Sequence, residues 1–177
     1  SALARNPKAL TGAGAVELVA GELSKELQAR RDALLKEART QGRPMKATLE
    51  ADGISFGKLG ALPDGTLDFR EITGIDPDLV IKPFGWKGRF ATIREMVEES
   101  LLLHLGMESD FLVEPGTPEQ IGNFSKEDPD GDNVLHEITE GQVSVLTLYL
   151  AMQEIPVVQL PQSPDQIPLW AEGQKRF

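Results

Sequence analysis

The chain has 177 residues, 40% of them hydrophobic, and a formal net charge of −10. That length and apolar content exclude wholesale disorder and suffice for one domain with its own core. The acidic balance argues against nucleic acid and for cationic partners, divalent metals included, and the lack of cysteine excludes disulfides and thiolate metal sites.

No apolar run approaches the ~20 residues that span a bilayer, so no membrane span is expected. Ser1 opens into a polar segment with no signal peptide pattern. The start is expected to be extended, since Pro7 disfavours helix at Asn6. A helix is expected over about 13–41. Val16, Val19, Leu23, Leu27 and Leu34 recur at helical spacing, charges fill the other face, and Gly42 and Pro44 stop it.

Residues 45–83 read as a β-rich insertion. MKATLEA, ISFGKLGAL and TLDFREI are strand signals separated by the turns Asp52-Gly53 and Pro63-Asp64-Gly65. DLVIKPF is a further extended run, so two to four antiparallel strands are expected. A helix over about 92–105 follows. Thr92 and Glu95 fit a capping box, Ile93, Met96, Val97, Leu101 and His104 share a face, and Gly106 ends it.

Residues 128–140, DPDGDNVLHEITE, form an acidic loop with aspartates at alternate positions. Such a loop suits a hard cation with oxygen ligands. Calcium would take Asp128, Asp130, Asp132, the Val134 carbonyl, and Glu137 or Glu140. Asn133 falls where such a loop turns sharply, and asparagine tolerates the left-handed conformation. The competing reading is an acidic turn that merely caps the next helix. That helix, about 140–153, opens with a second capping box, Thr139 and Gln142. It is apolar almost all round and is expected to be the most buried of the helices. Pro156 ends it, and residues 156–177, with four prolines, read as an extended connector. The fold class expected is mainly α with a small antiparallel β insertion, in a single domain.

The segment FGWKGRFATIREMVEESLLLHLGM, Phe84 to Met107, resembles a signature of bacterial di-haem cytochrome c peroxidases. That signature runs aromatic-Trp-Asp-Gly-Arg, then Ser-Leu-Glu, then Glu-Met-Gly. It is still more similar to the Phe-Gly-Trp-Lys form in di-haem oxidoreductases of that superfamily. Arg5-Asn6-Pro7 resembles the stretch that trails the first haem motif there, and Ala171 to Phe177 resembles the helix that opens a cytochrome c domain. Residues 45–80 look like an insertion relative to the peroxidases.

The resemblance implies a helical, cytochrome c peroxidase-like fragment. It would be the inter-haem portion of a periplasmic electron-transfer protein, with flanking haem domains as its partners. Haem c belongs to the parent protein and is absent from this chain, which has no cysteine to attach it. Calcium between the haems has a family parallel. Trp86 matches a tryptophan that lies between the haems, and Arg89 the arginine closing that turn. Met96 and His104 stand nearest the glutamine and glutamate of the peroxide pocket. Met96 cannot donate a hydrogen bond to peroxide. His104 is a base or a sixth iron ligand, and Met107 a soft axial ligand. His104 and Arg89 are therefore the catalytic candidates of the parent, and the isolated chain is expected to be inactive.

Each residue also has an ordinary reading. His104 can be a hydrogen-bonded core histidine, Met107 a packing residue, and Trp86 a plug against the following helix. His136 is expected to be exposed. No Ser-His-Asp order, phosphate loop or zinc-spaced histidine pair occurs. The rival functional reading is a calcium-stabilised binding or scaffold domain without haem. A piece taken from between two haem domains should keep apolar faces near Trp86, His104 and Trp170, and a homodimer is one way to cover them.

Overall fold

The computed structural model describes residues 10–113, 131–157, 159 and 161–176. Its elements are α1 (Ala13–Gln41), β1 (Met45–Ala51), β2 (Ile54–Ala61), β3 (Leu67–Ile72), α2 (Ile93–Leu105), α3 (Asp110–Val113), α4 (Glu140–Ala151) and α5 (Ile167–Arg176). The fold is mixed α/β: helices and one antiparallel three-stranded sheet of order β1-β2-β3. The expected extended start, and Asp128 and Asp130 of the acidic loop, lie outside the described residues.

Helix α1 runs from Gly12 to Gly42, both left-handed, at φ 78° and 61°. Its 29 residues, roughly 44 Å, cross the molecule and serve two cores. Toward its C-terminus, Leu27, Leu34 and Ala38 pack on Leu49 and Ala51 of β1, on Leu59 and Ala61 of β2, and on Leu79. Toward its N-terminus, Ala13 joins Phe84, Phe90, Ile93, Val97, Leu101, Ile138 and Val143. The buried face of α1 is thus Ala13, Ala20, Ser24, Leu27, Leu34 and Ala38. Val16 and Val19, expected on it, are 48% and 53% exposed. The reason is close packing. A Cβ on Gly14 would stand inside van der Waals contact of the Ala151 carbonyl oxygen, so α4 approaches a glycine and alanine surface and leaves the valines outside.

The strands form where expected, with Met45 opposite Ala61 and Gly60 opposite Asp68. Residues 78–84 add no strand to the sheet. They lie along α1, where buried Ser24 accepts a hydrogen bond from the Ile81 N–H at 2.9 Å and donates to the Ala20 carbonyl at 2.6 Å. One hydroxyl on a helix thereby satisfies the Ile81 amide, which a fourth strand would have paired.

Both capping boxes form, at Thr92–Glu95 and Thr139–Gln142. Helix α4 departs from expectation. Of its residues only Val143 is buried, while Val145, Leu148 and Tyr149 are 59–67% exposed, and Met152 just beyond is 72% exposed. An all-round apolar sequence can bury a helix only if the chain supplies neighbours on every side. Here α1 and α2 pack on one side. The tail is also corrected. Pro164–Gln166 is a 3-10 turn and residues 167–176 form α5, not an extended connector. Pro164 and Pro168 stand in first helical turns, where the missing N–H costs nothing. Among the described residues no helix is long and apolar enough to cross a membrane.

Candidate functional site

Phe84 and Phe90 close a loop. Each donates its N–H to the other's carbonyl at 3.1 Å, and the Arg89 N–H donates to the Phe84 carbonyl at 2.9 Å. Both rings are buried in the core beside α2. The intervening Gly-Trp-Lys-Gly turns sharply, with Gly85, Lys87 and Gly88 at φ 73°, 59° and 70°. Glycine is required twice. A Cβ on Gly85 would come within 2.7 Å of the Phe90 ring, and one on Gly88 within 2.7 Å of the Lys82 carbonyl oxygen. The turn carries Trp86 half exposed, at 50%. Arg89 pairs with Glu99 of α2, and its guanidinium lies 5.1 Å from the centre of the Phe90 ring.

The C-terminal end of α2 stands out from the core. His104 is exposed, flanked by Leu103 at 43% and Leu105 at 67%. The histidine is therefore not a core residue. It takes the place of a basic group in the last turn, where the helix dipole favours one. Gly106 ends the helix at φ 72° and donates to the Leu102 carbonyl at 3.1 Å. Met107 and Met96 are partly buried against the core, as packing residues are.

Beyond Met107 a parallel bridge joins Ser109 to Ile138. The Ile138 N–H donates to the Glu108 carbonyl, and the Asp110 N–H to the Ile138 carbonyl, both at 3.1 Å. The acidic side chains lock this junction. Glu137 Oε2 accepts the Glu108 N–H at 2.9 Å. Asp110 accepts the Glu140 N–H at 3.3 Å and faces His136 Nδ1 at 2.9 Å. Glu140 accepts the Phe111 N–H at 3.1 Å through Oε1 and pairs with Arg94 through Oε2. Arg94 also donates to Ser144 at 3.0 Å and lies 3.4 Å from Glu98.

For the metal-loop residues the outcome is specific. Asn133 adopts the left-handed conformation, φ 66°, and Asp132 accepts the Val134 N–H at 2.7 Å, forming a turn of its own. Both Glu140 oxygens are engaged, and one Glu137 oxygen is. Among the described residues, no three His, Asp or Glu side chains gather as a metal site. His136 is exposed, as expected.

Sequence reasoning missed Glu98. It is 3% exposed, buried on α2 with the Arg94 guanidinium 3.4 Å from it. Its signal was there: Arg94 and Glu98 are four residues apart on a helix. Burial pushes the Glu98 carboxyl above its ordinary value, with Arg94 opposing and Glu140 and Glu95 adding to the rise. A carboxyl raised in the folded state makes stability fall as pH rises from the ordinary glutamate range through its folded pKa. Glu98→Gln should remove that slope and raise the urea midpoint at pH 7, since Arg94 keeps Glu140. An unchanged pH–stability profile would count against it.

A cleft of about 450 Å³ lies between α1 and the segment after the sheet, bordered by Glu17, Lys25, Ile81 and Thr92. Glu17 there accepts the Ile93 N–H at 3.0 Å, which ties α1 to the start of α2. Among the described residues, the Ser24 and Thr92 hydroxyls in its lining are hydrogen-bonded to backbone groups. No family model, no curated protein and no solved structure matches this chain.

Proposed function

We propose that the chain is the inter-haem portion of a di-haem c-type cytochrome or peroxidase-like oxidoreductase, working in electron transfer and not catalytic by itself. The observation that carries this reading is the Trp86 turn. A loop closed by two buried phenylalanines, with glycines where a side chain would clash, holds an indole half in solvent. Rigid backbone spent on exposing a tryptophan suits a contact with another domain.

The flanking domains would supply haem c, and with it the electron carriers that this chain lacks. The residues present fit contact with such a group and not its attachment. The chain has no cysteine, Trp86 and His104 are open to solvent, and Met107 is packed against the core. Arg89 acts through the turn: its pairing with Glu99 fixes the loop against α2. His104 would meet the flanking domain as a base or a ligand. On this reading, by the resemblance to the di-haem family, the protein would work in the periplasm or another extracytoplasmic compartment.

The isolated chain should be colourless, without a Soret band or peroxidase turnover. In the parent polypeptide, two haems should be present and Trp86→Phe should slow electron transfer between them with both haems retained. Stoichiometric haem bound by the 177-residue chain alone would refute this assignment.

Calcium belongs to the same proposal. Asp128, Asp130, Asp132 and the Val134 carbonyl would provide the oxygens, closed by Glu137, whose second oxygen is the better placed because Glu140 is spent on Arg94 and the Phe111 N–H. The left-handed Asn133 supplies the turn such a loop needs. Calcium should then raise the melting temperature by binding only the folded chain, and Asp130→Ala should abolish the rise. Calorimetry without heat of binding at millimolar calcium would dispose of this assignment and leave the carboxylates as caps.

A further inference from the structure

We draw no further inference here: the strongest candidate, the exposed apolar face of α4 at Val145, Leu148 and Tyr149, carries none because nothing in the structure shows what covers it.

Discussion

Gly14→Ala should cost about 3 kcal/mol of stability, at the upper end of what overpacking does, because the obstacle is backbone. Gly14 sits in α1 where α4 ends, and a methyl group there would overlap the Ala151 carbonyl. Neither helix has room to withdraw. The Gly12 N–H donates to the Gln153 carbonyl at 3.2 Å, which pins the start of α1 to the end of α4. On the other side, α2 holds α4 through Val143 and the Arg94–Glu140 pair. Alanine is otherwise the better helix former by about 1 kcal/mol, so a measured loss isolates the packing term. Urea unfolding followed by circular dichroism measures it. A neutral or stabilised variant would mean that α1 and α4 do not touch here, and Gly21→Ala, at a site with open space, is the control that should be neutral or stabilising.

Leu27→Ala should cost about 2–5 kcal/mol, the range for a fully buried leucine cut to alanine. Leu27 is wholly buried between α1 and the sheet, with Leu49, Leu59 and Leu79 around it. Its effect should reach beyond the sheet. Helix α1 is continuous, so loosening its C-terminal half removes the support of the other core, and unfolding should stay a single transition. Circular dichroism and tryptophan fluorescence should give coincident urea curves for the parent and for Leu27→Ala. A fluorescence transition that stays at the parent midpoint while the sheet signal shifts would show two independently stable halves.

Local signals were legible from the residues alone. Both capping boxes, the glycine stops after α1 and α2, and the three strands with their turns depend on contacts within a few residues, and all three formed where the sequence put them. The Asn133 turn belongs with them. Long-range partners were not legible. The Arg94–Glu98 spacing was legible, but the burial of Glu98 was not, because it depends on where the other elements pack. The serine that receives the Ile81 amide is 57 residues away in sequence. Glu137 and Glu140 read as metal ligands, and the folded chain also gives them amides to cap and an arginine to pair.

The sequence by itself determined where α1, α2, α4 and the three strands begin and end, though not α3 or α5, and that Phe84–Phe90 makes a sharp glycine-bearing turn around Trp86. Those are short-range outcomes of backbone sterics and capping. Tertiary structure alone decided which faces meet. Val16 and Val19 were displaced from the core by the glycine contact between α1 and α4. His104 was turned outward at the end of α2. The most apolar helix of the chain, α4, was left with one side bare. Hydropathy fixes how much a helix gains by burial, but only the positions of the other elements decide whether anything is there to bury it against.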